Sequence, residues 1–183
     1  MTEQEAIDKA RSYFLTEDHV YGCAETTYVV LQEAFGLPNA TDSSPAMVFN
    51  GGIAWRGGIC GVIAGAAMAV GRLTEQRVVG HKNAKRVARR IVDRFISEFQ
   101  VVQASADCRD LIGQDIHTDE QHSAFIESGI WRDICMRQIE FAIGKLFALR
   151  DEQVWRQIVR AVECQEMRCP LTPVGFDCEV LTR

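Results

Sequence analysis

Apolar residues recur at helical spacing along most of this chain, and no segment alternates apolar and polar residues long enough to indicate a strand. The clearest segment is 81–99, where one face is apolar and the basic residues point mainly elsewhere. Its apolar face comprises Ala84, Ala88, Ile91, Val92, Phe95 and Phe99. Only four prolines occur among 183 residues, so long helices can run uninterrupted. The pattern predicts an all-α, single-domain helical bundle.

Helix start and stop signals divide the chain into segments. Gly36-Leu37-Pro38 is typical of a helix end, and Gly113 closes a short helix. The longer predicted helices span residues 3–15, 23–35, 60–71, 81–99, 123–149 and 151–166. Short helical turns are predicted at 46–49 and 107–112, and loops at 39–45 and 114–123. We therefore expect a four-cysteine helical domain at 1–150, and a C-terminal helix with a cysteine-containing tail at 151–183.

The composition is that of an ordinary globular protein, with 47% hydrophobic and 25% charged residues, which excludes a disordered or fibrous chain. The net charge of −5 argues against a dedicated nucleic-acid binder. The N-terminal residues lack the cationic and then apolar order of a secretory signal. The longest uncharged apolar run, 57–71, is shorter than the ~20 residues of a membrane span. These features predict a cytoplasmic protein with no membrane span and no nucleic-acid partner.

Motifs of several common chemistries are absent from the sequence. It contains no Gly-x-Gly-x-x-Gly, Walker loop, His-Glu-x-x-His or Gly-x-Ser-x-Gly. It also lacks the Cys-x-x-Cys-His that attaches c-type haem. The sequence therefore argues against the common nucleotide-binding and hydrolase mechanisms. It indicates no particular reaction, so whether the chain is an enzyme stays open.

The seven cysteines need an explanation, because an odd number cannot pair completely and cytoplasmic cysteines are seldom structural disulfides. Cys23 and Cys60 each open a predicted helix, where free backbone N–H groups and the helix dipole favour a thiolate. Cys108 begins a short element beside a cation, and Cys135 lies on the apolar stripe of its helix. We predict that these four form a catalytic redox centre or bind a metal. Alternatively, they are small buried core residues.

The remaining cysteines and the histidines carry weaker signals. Cys164, Cys169 and Cys178 have spacings that match no metal motif, so they cap the tail, form a second site or are buried thiols. The four histidines match no ligand pattern either. His19 is close to Cys23 in sequence, where it either tunes that thiol or lies in a surface loop.

Small residues recur every four positions around Cys60, at Gly57, Gly61 and Gly65, with Ala69 next in the series. This strip has two compatible interpretations. In the first, it allows helices to pack very closely. In the second, Gly61 and Gly65 bind a cofactor, because their bare backbone N–H groups can point at an anion such as sulfide or thiolate.

Several pieces of the sequence carry a resemblance to a known family. They are Gly22-Cys23-Ala24, Gly51-Gly52, Gly57-Gly58-Ile59-Cys60-Gly61-Val62-Ile63-Ala64-Gly65, Cys108-Arg109-Asp110-Leu111-Ile112-Gly113 and Cys135. Over about residues 5–150 the chain resembles the C_GCAxxG_C_C family of redox-active proteins, which is defined by four invariant cysteines and a Cys-Gly-Ala-x-x-Gly motif. Val62 stands where the family usually has Ala.

The resemblance implies a helical domain whose four cysteines converge on a redox centre. The chain is also similar to the non-haem part of split-Soret cytochromes, where similar cysteines are candidates for an iron–sulfur cluster. Members of the family are regarded as accessory redox proteins, which implies a redox partner protein but no particular substrate.

The residues themselves leave the nature of the centre open. A cluster needs four thiolates that meet, and hydrogen bonds and burial tune its potential. Zinc would use the same ligands. A metal-free thiol–disulfide protein needs one close pair with an exposed, low-pKa member, and the sequence selects no such pair. We favour a metal centre for electron transfer, with an iron–sulfur cluster first and zinc or no cofactor as alternatives. A non-catalytic helical interaction protein with core cysteines is the competing class.

Two surfaces suggest further partners. The basic segment 77–94, opposed only by Asp93, is either a solvated helix face or a docking patch for an acidic electron-transfer partner or an anionic ligand. The last predicted helix has an apolar face that suits tail docking or a homodimer. It comprises Val154, Trp155, Ile158 and Val162.

Overall fold

The computed structural model describes the backbone of residues 1–167 and the side chains of residues 1–162. Within that part of the chain the regular structure is helical and contains no strand, which confirms the predicted all-α single domain. The α-helices are α1 (Glu3–Phe14), α2 (Cys23–Phe35), α3 (Gly61–Arg77), α4 (His81–Gln103), α5 (Cys108–Ile112), α6 (Asp119–Ser128), α7 (Ile130–Leu146) and α8 (Glu152–Met167). Short 3-10 helices lie at Ser44–Phe49 and Phe147–Arg150.

Two of the predicted helix ends are confirmed by their backbone geometry. α2 begins at Cys23 and ends before Gly36, which has a left-handed φ of +69°. α5 ends before Gly113 in the same way, at φ +71°. A side chain at either position would be strained, so glycine terminates both helices at low cost.

The long helix predicted over 123–149 is wrong, because the structure divides it into α6 and α7 at Gly129. Gly129 has a φ of +69°, and the N–H group of Gly129 bonds to the carbonyl of Ile126 to end α6. The apolar spacing continues across this break, so periodicity alone did not reveal it.

The predicted loop at 114–123 is shorter than expected. α6 begins at Asp119 after a reciprocal cap, in which the Thr118 hydroxyl accepts from the N–H of Gln121 and the Gln121 side chain accepts from the N–H of Thr118. This is a capping box, which satisfies two backbone donors at the helix start. α3 continues to Arg77, past its predicted end at residue 71.

α2 lies at the centre of the bundle, in contact with α1, α3 and α7. Nearly all of its side chains are buried, including the polar Thr26 and Gln32. α3 contains the glycine- and alanine-rich helix predicted at 60–71, is largely buried, and packs against both α2 and α4. Within residues 1–167, no helix has both the length and the apolar character needed to cross a membrane.

The predicted apolar face of α4 is turned into the core, with Ala84, Ile91, Phe95 and Phe99 buried. α8 packs on α4 and on the 3-10 helix that follows α7. Much of the apolar face predicted for the last helix is therefore covered within the chain. Trp155 and Val162 are buried, and Val154 and Ile158 are half-buried.

The side chains of three cysteines lie outside the residues that the structure describes. Cys164 lies on α8 with its side chain outside the described residues, and Cys169 and Cys178 lie outside them entirely. The roles predicted for these three thiols stay predictions.

Candidate functional site

The structure brings the four predicted thiols together from four separate elements. Cys23 is the first residue of α2, Cys60 immediately precedes α3, Cys108 is the first residue of α5, and Cys135 lies on α7. Cys60, Cys108 and Cys135 are buried, Cys23 is half-buried, and all four are free thiols. Electrostatic interactions join every pair of them, so the four sulfurs occupy one region of the molecule.

Backbone hydrogen bonds hold the Cys60 and Cys108 segments side by side. The N–H of Cys60 donates to the carbonyl of Ala106 at 2.8 Å, and the N–H of Cys108 donates to the carbonyl of Gly58 at 2.7 Å. A single antiparallel bridge lies between these two bonds. The two thiols are therefore held in place by the main chain.

The start of α2 beside Cys23 is capped from a distant loop. Gly22 has no side chain to cap the helix, and the Asn50 amide oxygen instead accepts from the N–H of Ala24 at 2.9 Å. The Asn50 amide nitrogen donates to the buried Glu25 carboxylate at 2.9 Å, and that carboxylate also accepts from the N–H of Gly22. A Cβ at Gly22 would lie 2.3 Å from the Asn50 side chain. A side chain at Gly22 would therefore displace the Asn50 amide that caps α2.

Asn50 and Glu25 were missed by the sequence analysis. Glu25 stands three residues after the N-cap, which is the position of the acidic member of a capping box, so a signal for it existed. Asn50 is far from α2 in sequence, and no local pattern indicates its role.

We expect Asn50→Ala to destabilise the protein by about 1–2 kcal/mol, because it removes the cap of Ala24 and a hydrogen bond to the buried Glu25 carboxylate. Urea unfolding of the metal-free protein measures this loss. Asn83→Ala is the control, since the Asn83 amide is exposed and its described hydrogen bond goes to the carbonyl of Val79. Equal losses in the two variants would contradict a capping role for Asn50.

The two glycines predicted to bind a cofactor, Gly61 and Gly65, face different neighbours. A Cβ at Gly61 would lie 2.6 Å from the sulfur of Cys23, so this glycine makes room for a thiol. A Cβ at Gly65 would lie 2.3 Å from the carbonyl oxygen of Ala24, so this one allows α3 to approach the backbone of α2. Gly57 precedes α3, and the small-residue face on the helix therefore begins at Gly61.

A left-handed turn leads from Asn50 toward Cys60. The five consecutive residues 51–55 all have positive φ, and three of them, Ile53, Ala54 and Trp55, are not glycine. For these three residues, which carry a Cβ, such backbone costs roughly 1–2 kcal/mol each. The turn presents the Trp55 ring to His122, and the two rings stack with centroids 4.0 Å apart.

A cavity of about 200 Å³ lies among these groups. Its lining includes the Cys23, Cys108 and Cys135 thiols together with Trp55 and His122. His19 also lines it, is exposed as a loop residue, and packs edge-on against Trp131 with ring centroids 4.7 Å apart. Burial, followed by the charge of His19, lowers the pKa of His122. Three of the four thiols thus share a pocket with aromatic rings.

Burial raises the pKa of all four thiols. The pKa of Cys108 rises to about 12, those of Cys60 and Cys135 rise well above their usual range, and that of Cys23 also rises. For Cys60, Cys108 and Cys135 the second cause is the negative charge of the neighbouring thiolates. The helix-start environment predicted to favour thiolates is therefore outweighed by desolvation.

Backbone N–H groups oppose this effect at two of the sulfurs. Those of Gly51 and Ala24 lower the pKa of Cys23, and two N–H groups in the first turn of α3 lower the pKa of Cys60. The Cys60 thiol also donates to the side-chain oxygen of Gln138 at 3.5 Å. Gln138 is buried on α7, and the sequence analysis did not identify it.

The predicted basic patch lies away from the thiols. Lys82, Lys85, Arg89 and Arg90 are exposed on the first turns of α4. Cys60 precedes α3, and α4 follows its far end, so the 17-residue length of α3 separates them by about 25 Å. The docking role predicted for the basic patch stays a prediction.

Within residues 1–167, no three His, Cys, Asp or Glu side chains form a group that could hold a metal ion as they stand. The donor chemistry and the space around the thiols are nevertheless those of a thiolate-ligated centre. Four cysteines are the ligand set of structural zinc and of iron–sulfur clusters. Gly61 leaves the Cys23 sulfur unobstructed, and backbone N–H groups face two of the sulfurs.

Comparison with known proteins gave one match. A family model described as "Putative redox-active protein (C_GCAxxG_C_C)" matches residues 21–149, a stretch that includes all four thiols of the site. No curated protein and no solved structure matches the chain.

Proposed function

We propose that this chain, which belongs to the C_GCAxxG_C_C family of redox-active proteins, uses Cys23, Cys60, Cys108 and Cys135 to hold an iron–sulfur cluster for electron transfer. The observation that carries the proposal is the convergence of four thiols that are buried or half-buried and come from four separate elements. A single buried cysteine is common in protein cores. Four cysteines that converge have the donor set to bind one metal centre together.

The electrostatics of the site favour a cation over free thiolates. Burial and mutual repulsion keep the thiols protonated near neutral pH. Binding of a metal ion would reverse this balance, because a coordinating thiol is deprotonated outright. The four cysteines would then act as ligands, and their protons would leave to solvent.

Other groups of the chain would support such a centre. The N–H groups of Gly51 and Ala24 stabilise negative charge on the Cys23 sulfur. The stacked rings of Trp55 and His122 line the adjoining cavity and reduce the access of water. A bound iron–sulfur cluster supplies one-electron redox chemistry, with a potential set by such hydrogen bonds and by burial.

The metal-free alternative receives less support from the thiols. Thiol–disulfide exchange needs an accessible thiol with a lowered pKa. Cys23 is the most exposed of the four, yet its pKa is raised by burial. Zinc suits the same ligands but supplies no redox chemistry.

The test is to measure iron, zinc and acid-labile sulfide, together with the visible spectrum, on protein purified without oxygen. We expect iron and sulfide in the unmodified chain and their loss in Cys60→Ser. Cys164→Ser is the control and should keep both, because Cys164 lies outside the matched residues 21–149.

Other outcomes identify the alternatives. Zinc without iron or sulfide would replace the cluster by a zinc site. A metal-free protein would overturn the proposal, and a count of free thiols before and after reduction would then distinguish a redox pair from inert core cysteines. The proposal also includes a partner protein for electron transfer, a homodimer and a cytoplasmic location. The metal analysis does not test these three, and each calls for a separate measurement.

A further inference from the structure

Gln138 is a buried polar side chain with only one end satisfied. The residue is 2% exposed on α7. Its side-chain oxygen accepts from the Cys60 thiol at 3.5 Å. Among the described residues, its amide nitrogen Nε2 is one of few buried polar atoms with no hydrogen-bond partner. Buried donors are nearly always paired, so an unpaired one next to a functional group needs an explanation.

The position of Gln138 on α7 places its side chain at the thiol site. Cys135 stands three residues earlier on α7, and residues three apart lie on the same helix face. Cys60 reaches this face from the start of α3. Gln138 therefore stands beside two of the four thiols, with a free donor and an acceptor at the end of one side chain.

The direction of the hydrogen bond between Cys60 and Gln138 depends on which of the two groups supplies the hydrogen. A thiol donates a hydrogen bond, so it pairs with the amide oxygen of Gln138 and leaves the amide nitrogen unused. A thiolate has no proton to donate and accepts instead. A half-turn of the carboxamide exchanges the places of oxygen and nitrogen, which would pair Nε2–H with the sulfur.

We propose that Gln138 is a positioning residue of the metal centre, whose carboxamide turns over when Cys60 becomes a ligand and then donates Nε2–H to the Cys60 sulfur. The inference rests on the proposed function. The S–H bond of Cys60 would break as its bond to the metal forms, the proton would leave to solvent, and no covalent bond of Gln138 would change. A hydrogen bond donated to a ligand sulfur stabilises the more reduced, more negative centre and so raises its potential.

Two variants test this role on protein reconstituted with iron and sulfide. Gln138→Leu removes both donor and acceptor, and Gln138→Met keeps the length of the side chain without a charge or an N–H donor. We expect both to lower the midpoint potential and to lose iron to a chelator about 10- to 100-fold faster, the usual loss when an outer partner of a ligand is removed. The Met variant keeps the test valid if the Leu variant fails to fold.

Gln32→Leu is the matched control. Gln32 is also a fully buried glutamine, but its amide bonds to Arg72 and to the carbonyl of Ala40, away from the thiols. This variant should lower stability while leaving the potential unchanged. A merely structural role for Gln138 would give the same result in its own variants.

The outcomes separate this inference from the proposed function. A reconstituted wild-type protein that holds no iron and sulfide overturns the proposed centre and this inference with it. A normal centre in the wild type, with unchanged potential and iron loss in both Gln138 variants, overturns this inference alone.

Discussion

Gly65→Ala is expected to destabilise the protein by about 3 kcal/mol or more, toward the upper end of what overpacking a core costs. The added Cβ would lie 2.3 Å from the carbonyl oxygen of Ala24 and 3.2 Å from the backbone nitrogen of Tyr28. Both are main-chain atoms of the central helix α2, so neither can move aside without shifting that helix. Because Cys23 is the first residue of α2, the same shift would disturb the thiol site.

Gly71→Ala on the same helix is the matched control for Gly65→Ala. Apart from its chain neighbours and the adjacent backbone of α3, no atom of the described residues lies within 4 Å of the position its Cβ would take. Replacing a helical glycine by alanine should therefore stabilise the protein by about 1 kcal/mol. Chemical unfolding of the two variants measures the difference. A Gly65→Ala protein as stable as Gly71→Ala would refute the close approach of α2 and α3.

The four-residue spacing of glycines indicated close packing but not which glycine serves which contact. Gly61 and Gly65 are one turn apart on α3, yet the first faces a sulfur and the second faces a backbone. Local spacing identifies a face of a helix, and the neighbour of each residue is set by tertiary packing. The sequence could therefore predict the strip but not the division of roles within it.

The helix ends that depend on the backbone conformation of a single glycine could be predicted from the sequence. Gly36 and Gly113 end their helices through their own backbone conformation, which a sequence signal reports directly. Gly129 ends a helix by the same conformation, but it lies within a continuing apolar pattern and was overlooked. A lone glycine inside a helical pattern is an ambiguous signal.

The groups around the thiols were less predictable because they come from distant parts of the chain. Asn50 caps α2 across 26 positions, and Gln138 meets Cys60 across 78. The left-handed turn that carries Trp55 includes Ile53, a β-branched residue that rarely adopts positive φ. Only the assembled fold brings these groups to the cysteines.

The thiol pKa values predict a loss of stability at alkaline pH in the metal-free protein. Cys108 titrates at about 12 in the folded chain, against an ordinary value of 9.0. Below pH 9 both the folded and unfolded states keep the proton, so the stabilisation is present in full. Above pH 9 the unfolded state releases the proton while the folded state retains it, and stability falls by about 1.4 kcal/mol per pH unit for this thiol.

Over the full interval from pH 9 to 12, Cys108 alone accounts for about 4 kcal/mol, and the raised pKa values of Cys60 and Cys135 add to it in the same direction. Urea unfolding midpoints between pH 8 and 11 measure the loss. Cys108→Ser should flatten the curve, and the difference isolates this thiol from Tyr28, whose pKa is also raised by burial. Bound metal should flatten it too, because ligating thiols have already lost their protons. Identical curves for the unmodified chain and Cys108→Ser would mean that the thiol is solvated in the folded protein, and that the argument for a compensating cation fails at this residue.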